Sequence, residues 1–225
     1  MTTTVTLVGA RGGQGTSTVA AALALYAAQD APTTLLTHDP TAMARLLGTT
    51  GALPTPEQPF AAGPQLTVAG LDGPQEAVTI IDAGQAVEAA ASATLPDGGQ
   101  RYAVVRGPCY LALATLVSLP DLRPDGVILV AEPGRSLSAS DTSAILGVPV
   151  IATVPVRPSI ARLIDAGLLA GRPSEIPGLD RLIDPLLRGA DPADDVLTRG
   201  LNRFDVGLAK NGTDHAATTA WGHEL

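Results

Sequence analysis

Short runs of apolar and β-branched residues alternate along the chain with longer stretches of helical spacing. The runs are almost continuously apolar, which is typical of strands that are buried on both faces of a parallel sheet. In the longer stretches apolar residues recur every three or four positions, as at Ile160, Leu163, Ile164 and Leu168. The alternation predicts an α/β fold with a doubly wound, mainly parallel sheet of about seven strands and helices on both faces.

The same pattern sets the expected bounds of these elements. We predict strands over residues 3–9, 33–37, 65–69, 77–81, 102–105, 126–131 and 148–154. Helices are predicted over residues 16–29, 41–47, 85–94, 110–119, 137–146 and 160–169, and a short amphipathic segment over 179–187. Residues 48–64 carry four prolines and three glycines and are expected to form a loop. After residue 189 the composition becomes polar, so residues 1–189 are expected to form one domain and residues 190–225 a partly disordered C-terminal extension.

A glycine-rich segment joins the first predicted strand to the first predicted helix. Glycines there allow backbone N–H groups to turn inward around an anion, and the helix N-terminus adds its partial positive charge. A hydroxyl in the first helical turn can cap the helix or bind Mg²⁺. We predict that this segment binds phosphate; a glycine turn whose Ser and Thr residues only cap the helix is the alternative. The candidate phosphate-binding residues are Arg11, Gly12, Gly13, Gln14, Gly15, Thr16, Ser17 and Thr18.

A carboxylate follows the apolar run over residues 78–81. Asp82 stands where this strand reaches the carboxyl edge of the predicted sheet. An aspartate has little structural purpose at that place, so we predict that Asp82 and the hydroxyl of Ser17 bind Mg²⁺ or its bound water. A cap for the next helix is the other interpretation of Asp82.

Together these segments resemble the ParA/MinD family of ATPases. Residues 11–18 are similar to the deviant Walker A motif K-G-G-x-G-K-[ST]-T, with Arg11 at the first lysine and Thr16 at the second. The sequence LLTHDP at residues 35–40 resembles the family's L-L-V-D-x-D-P, and VTIIDAG at residues 78–84 resembles its Walker B and switch II strand. Later segments resemble the family's late strand and the helix that follows it, so the likeness extends over residues 1–187.

The resemblance implies a P-loop NTPase fold, binding of ATP or ADP with Mg²⁺, and a nucleotide-dependent homodimer. It also implies a role in DNA partition, the cell cycle or organelle positioning. Asp39 stands at the second aspartate of L-L-V-D-x-D-P and is the candidate catalytic residue, although Asp39-Pro40 also suits a plain turn. The sequence does not define the protein partner.

The chain departs from the family at the residues that carry its chemistry. Thr16 replaces the lysine that neutralises phosphate charge, and Thr37 replaces an aspartate that positions the attacking water. The only lysine of the chain is Lys210. Because phosphoryl transfer depends on positioning and charge stabilisation, we expect ATP hydrolysis near background. A pseudo-ATPase scaffold that no longer binds nucleotide is one alternative, and a weak ATPase that uses Arg11 is another.

Two positions along the predicted sheet beyond the loop, the ends of two strands, bear on the same question. Arg106, at the end of a predicted central strand, is a candidate substitute for the missing lysine. Glu132 and Pro133 follow the strand after which the family has an adenine-reading asparagine. The residue that neutralises the phosphate and the residue that contacts the base are therefore both expected to differ from those of the family.

The charge of the chain argues against two classes of partner. The 225 residues include 14 Lys and Arg and 22 Asp and Glu, which gives a net charge of −8. We therefore expect no tight binding of nucleic acid by the isolated chain. No apolar stretch approaches the roughly 18–20 residues of a membrane span, so no membrane insertion is expected.

A single cysteine, Cys109, cannot form an internal disulfide and fits the reducing cytoplasm, which is the expected location.

Overall fold

The computed structural model describes residues 2–49, 58–91 and 99–187. Within these ranges strands alternate with helices, except that the third, fourth and fifth strands follow one another directly. The strands are β1 (Thr3–Gly9), β2 (Thr33–Thr37), β3 (Phe60–Gly63), β4 (Leu66–Ala69), β5 (Val78–Gln85), β6 (Gln100–Gly107), β7 (Gly126–Ala131) and β8 (Val150–Pro155). The helices are α1 (Thr16–Ala27), α2 (Pro40–Leu47), α3 (Ala86–Ala91), α4 (Tyr110–Val117), α5 (Ala139–Leu146), α6 (Pro158–Asp165) and α7 (Asp180–Leu187).

One sheet joins all the described strands, in the order β3-β4-β2-β5-β1-β6-β7-β8. Every neighbouring pair is parallel except β3 with β4. The order places β1 between β5 and β6, with Leu7 opposite Asp82 on one side and Tyr102 on the other. The carboxyl ends of β2, β5, β1, β6, β7 and β8 therefore meet along one edge of the sheet, where ligands bind in open α/β folds.

Apolar side chains cover both faces of the sheet because successive residues of a strand point to opposite sides. On β1, Leu7 belongs to one apolar cluster and Val8 to the other, and both are fully buried. Helix α1 is buried from Val19 to Leu25, with alanines that allow close approach to its neighbours β5, α2 and α7. Full burial of a leucine such as Leu23 stabilises the fold by about 1.5–3 kcal/mol. The core thus fixes β1 and α1, the two elements that the glycine-rich loop joins.

The α/β class and the mainly parallel sheet predicted from the sequence are confirmed, and one strand was missed. Strand β3 lies inside the stretch 48–64 that was expected to be a loop, and it pairs antiparallel with β4, with Phe60 opposite Val68. It is a four-residue edge strand between Pro59 and Pro64, and its sequence FAAG has no apolar alternation. Such a strand gives no periodic signal, so the count of seven was one too low for the described residues.

One predicted boundary differs from the structure, and one prediction lies outside the described residues. Strand β5 continues to Gln85, so Asp82 lies within the strand and α3 begins at Ala86, one residue later than predicted. The predicted C-terminal extension, 190–225, lies outside the described residues, and the division at residue 189 stays a prediction. Helix α1, at 12 residues, is longer than any other described helix, and no helix in the ranges given above has the length and apolarity of a membrane span.

Candidate functional site

The glycine-rich loop leaves the carboxyl end of β1 and opens helix α1 at the centre of the sheet. Gly15 is the N-cap of α1 and has a φ of 84°, a left-handed conformation that glycine adopts without a Cβ penalty. No side chain caps this helix. The N–H groups of its first turn have no partner within the helix, so they and the helix dipole are directed at the space above the loop. This is the geometry of an anion site at a helix N-terminus.

Two glutamine side chains hold the loop to the strands on either side of β1. The N–H of Gly12 donates a hydrogen bond to Gln85 Oε1 at 2.9 Å, and Gln85 ends β5. The N–H of Arg106, on β6, donates to Gln14 Oε1 at 2.8 Å. The loop is therefore tied to both neighbouring strands. Gln14 was among the predicted site residues, whereas Gln85 was missed, because no feature of the sequence distinguishes a glutamine that will accept from a loop 73 positions away.

Thr16 is buried at the base of the loop. Only 7% of its surface is exposed, and a Cβ added at Gly9 would overlap with Thr16 Oγ1. The hydroxyl thus packs against the backbone of β1. A lysine at this position would carry a cation toward bound phosphate, and the threonine supplies none. By contrast Ser17, one residue later in the first turn of α1, is exposed.

Asp82 is a buried carboxylate at the same edge of the sheet. Its residue is 3% exposed, and its Oδ1 accepts a hydrogen bond from the N–H of Gly84 at 3.2 Å. In the described part of the chain no three His, Cys, Asp or Glu side chains gather into a metal-binding group. A cation here would therefore be bound by one or two protein oxygens and by phosphate oxygens, which is how Mg²⁺ is usually held beside nucleotides. The carboxylate of Asp82 and the hydroxyl of Ser17 are hard oxygen ligands of that kind.

Asp39, the predicted catalytic residue, begins helix α2. Its Oδ1 accepts a hydrogen bond from the N–H of Ala42 at 2.8 Å, so the carboxylate caps this helix. Its own N–H donates to Thr37 Oγ1 at 3.3 Å. Thr37 is buried and lies opposite Asp82 in the β2–β5 register. In the structure Asp39 therefore acts as the N-cap of a helix after a turn. Its catalytic role stays a prediction.

An apolar crevice of about 190 Å³ lies on the other side of the loop, between α1, α6 and the ends of β7 and β8. Its mouth is formed by loop residues and by two arginines, Arg106 and Arg157. Sequence reasoning missed Arg157, since only the packing of α6 beside the loop brings it there. The apolar wall is formed by Val19, Val130, Val154, Pro155, Val156, Ile160, Ala161, Ile164 and Ile176. This volume and lining suit a planar heterocycle with a charged group at its edge.

Glu132, where the sequence lacks the expected asparagine, is engaged by two arginines. Arg106 Nε donates to Glu132 Oε1 at 2.7 Å, and Arg135 Nε donates to Glu132 Oε2 at 2.8 Å. Hydrogen bonds from Arg135 and then Arg106 hold the pKa of Glu132 below its ordinary value. The carboxylate therefore stays ionised and orients both guanidinium groups.

Cys109 lies half-buried at the N-cap of helix α4. The N–H groups of Ala112 and Leu111 lower the pKa of its thiol, and the charges of Arg135 and Arg11 act in the same direction. The sequence places no histidine near this thiol. The structure adds that it is more acidic than an ordinary cysteine.

No protein-family model and no curated protein matches the chain. Solved structures do. The chain is similar to a ParA family ATPase from Chlorobium tepidum TLS (12% identity, 83% of this chain and 99% of the other, TM-score 0.62). It is also similar to the septum site-determining protein MinD complexed with Mg-ADP from Pyrococcus horikoshii OT3 (18% identity, 89% and 98%, TM-score 0.63). A third similar structure is the ATP complex of a Cyanothece McdA variant (14% identity, 84% and 97%, TM-score 0.58).

These likenesses show the class of fold: the chain has the α/β fold of the ParA and MinD structures, with a glycine-rich loop after β1. The resemblance expected from the sequence is thereby confirmed at the level of the fold. Of the predicted residues, those at positions 11–15 form the loop, those at 16–18 form the first turn of α1, and Asp82 lies on the adjoining strand β5.

Proposed function

We propose that this chain is a ParA/MinD-like nucleotide-binding switch or positioning protein that binds ATP or ADP with Mg²⁺ and hydrolyses ATP weakly or not at all. The observation that carries the proposal is the N-terminus of α1, which has no side-chain cap and opens directly from a glycine loop. Similar structures hold Mg-ADP in MinD and ATP in the McdA variant, which supports the choice of ligand.

The proposed ligand lies along the edge of the sheet, across the loop. The base enters the apolar crevice beside β7 and β8, and the phosphates face the N–H groups of residues 15–18. Mg²⁺ is held by Ser17 and Asp82 on the β5 side of the loop. It supplies positive charge that neutralises the phosphate oxygens.

Weak hydrolysis follows from the groups that are absent from this arrangement. Thr16 supplies no cation to the phosphates, and Thr37 supplies a hydroxyl where the family has a carboxylate to position water. Loss of one such transition-state contact typically costs about 3–4 kcal/mol of barrier stabilisation. Two losses together would bring the rate near that of the uncatalysed reaction.

The second candidate is a pseudo-ATPase that no longer binds nucleotide and acts as a scaffold or interaction protein. The burial of Thr16 against Gly9 and the bond from Gly12 to Gln85 favour it, because the loop satisfies part of its own surface without a ligand. A weak ATPase that uses Arg11 as its cation is the third. Arg11 is exposed in the loop, where it is free to approach the nucleotide of a second subunit in the proposed homodimer.

Isothermal titration of the purified chain with Mg-ATP and Mg-ADP tests the proposal. We expect binding of both nucleotides by the wild type, and weaker binding by Ser17→Ala and Asp82→Asn when Mg²⁺ is present. Ser174→Ala, which removes an exposed hydroxyl outside the site, is the matched control and is expected to bind as the wild type does. An absence of binding heat for both nucleotides, in a folded wild-type chain, would favour the scaffold.

A further inference from the structure

Positive charge is distributed unequally on the two sides of the loop. On the side of β6, β7 and β8, Arg106 and Arg157 line the mouth of the apolar crevice. On the side of β5 and β2, the strand ends at 82–88 and 37–39 carry acidic side chains and contain neither Lys nor Arg. The order β5-β1-β6-β7-β8 places these two groups of residues on opposite sides of β1. A nucleotide that crosses the loop therefore meets protein cations at its base end and protein carboxylates at its terminal-phosphate end.

Arg106 is held in position by groups around it. Its backbone N–H is bonded to Gln14 of the loop, and its Nε donates to Glu132 at 2.7 Å. The other oxygen of Glu132 is bonded to Arg135, so both carboxylate oxygens are engaged by arginines. The bond to Glu132 uses one of the five N–H donors of the guanidinium group and leaves those of the terminal nitrogens for an anion. Arg106, whose side chain is 45% exposed, thus has one side-chain bond that orients it and spare donors for a phosphate.

We infer that Arg106, oriented by Glu132 and assisted by Arg157, binds the phosphate nearest the nucleoside, so that the site recognises the nucleoside monophosphate portion of its ligand. This inference rests on the proposed function. Because Thr16 offers no charge on the far side of the loop, the second and third phosphates add little to the affinity when Mg²⁺ is absent. AMP, ADP and ATP therefore bind with similar strength under that condition.

Titration of the full chain with AMP, ADP and ATP tests this inference in a series without Mg²⁺, and a second series with Mg²⁺ tests the proposed function. For the wild type without Mg²⁺ we expect three dissociation constants within about threefold of one another, since one set of arginine contacts serves all three. Arg106→Gln is expected to weaken all three by about 10- to 100-fold, the range of one charge-assisted hydrogen bond. Arg106→Lys keeps a cation but loses the planar guanidinium group. Its dissociation constants should lie between those of the wild type and those of Arg106→Gln. Arg162→Ala, which removes an exposed arginine of α6 outside the crevice, is the matched control and should change nothing.

Two more variants separate a binding role from a merely structural one. Glu132→Ala removes the acceptor of the Arg106 Nε bond and should weaken all three nucleotides, with thermal unfolding recorded to show that the fold is intact. Thr16→Lys adds charge at the far side and should create a preference for ATP and ADP over AMP that the wild type lacks.

The outcomes distinguish this inference from the proposed function. A wild type that prefers ATP to AMP by more than about 30-fold without Mg²⁺, or nucleotide binding that is indifferent to Arg106→Gln, overturns the inference and leaves nucleotide binding in place. Absence of binding for all three nucleotides, in both the wild type and Thr16→Lys, overturns the proposed function and the inference with it.

Discussion

The side chain of Gln85, at the end of β5, accepts a hydrogen bond from the backbone N–H of Gly12 in the glycine-rich loop at 2.9 Å. The amide nitrogen of the same side chain donates to Glu88 Oε1 at 3.2 Å. Gln85 therefore connects the glycine-rich loop to the end of β5, just after Asp82, and to Glu88 in helix α3.

Replacement of Gln85 by alanine should loosen the loop. A hydrogen bond of this kind contributes about 0.5–1.5 kcal/mol, and we expect the free energy of unfolding to fall by that amount. Amide hydrogen exchange at residues 12–15 should become faster. Gln65→Ala, which removes an exposed glutamine outside the site, is the control. Unchanged exchange in the loop of Gln85→Ala would show that other contacts hold it.

Gly9 and Thr16 are expected to be energetically coupled. A methyl group at Gly9 would overlap with Thr16 Oγ1, so Gly9→Ala should destabilise the chain by about 1–3 kcal/mol through overpacking. Removal of the hydroxyl in Gly9→Ala with Thr16→Ala should recover part of that loss. Thr16→Ser retains the hydroxyl oxygen, so combining it with Gly9→Ala should not recover the lost stability. Denaturant unfolding of the single and double variants gives the coupling free energy, and additive effects would contradict the close approach.

Restoration of the missing lysine should strengthen nucleotide binding more than hydrolysis. We expect Thr16→Lys to tighten binding of Mg-ATP by about 1–3 kcal/mol, the scale of a charge-assisted hydrogen bond. Hydrolysis should stay near background in this variant because Thr37 still lacks a carboxylate, and it should rise only when Thr37→Asp is added. Calorimetry and phosphate release measure the two effects. A fast wild-type rate that the lysine does not increase would refute the expectation.

The sequence predicted the parts of this molecule that depend on local pattern. The bounds of β1, β2 and β7 agree with the prediction because each is an apolar run that ends at a residue of different character. The glycine loop was found in the same way. Strand β3 was not, since a short edge strand between prolines has no periodicity. Gln85 and Arg157 enter the site only through pairing and packing between distant segments, which spacing along a single chain does not encode.

Cys109 should react with thiol reagents at lower pH than an ordinary cysteine. Hydrogen bonds from the N–H groups of Ala112 and Leu111 favour the thiolate and lower the pKa of the group. Since the thiolate is the nucleophile, the rate of alkylation should reach half its maximum below the ordinary cysteine pKa. Arg135 contributes to the same shift, so Arg135→Ala should move the pH–rate profile upward. Arg162→Ala is the control, and a profile centred at or above the ordinary value would contradict the prediction.

Assembly of the chain should depend on nucleotide and on Arg11. Arg11 is exposed in the loop, at the position of the lysine that crosses to the partner subunit in the ParA/MinD family. An arginine there can bind phosphate with two donors and compensate in part for the charge missing at Thr16. Binding and dimerisation would then strengthen each other by the same factor. Without nucleotide, two acidic chains lack the anions that join the two loops, and a monomer is expected.

Sedimentation velocity on the wild type and Arg11→Ala, each with and without Mg-ATP, measures this dependence. We expect a dimer only for the wild type with nucleotide, and a monomer in the other three samples. Arg45→Ala, which removes an arginine from the last turn of α2, controls for the change in net charge and should behave as the wild type does. A nucleotide-dependent dimer that survives loss of Arg11 would refute its role across the interface. A monomer in every sample would instead favour the scaffold protein that has lost its nucleotide.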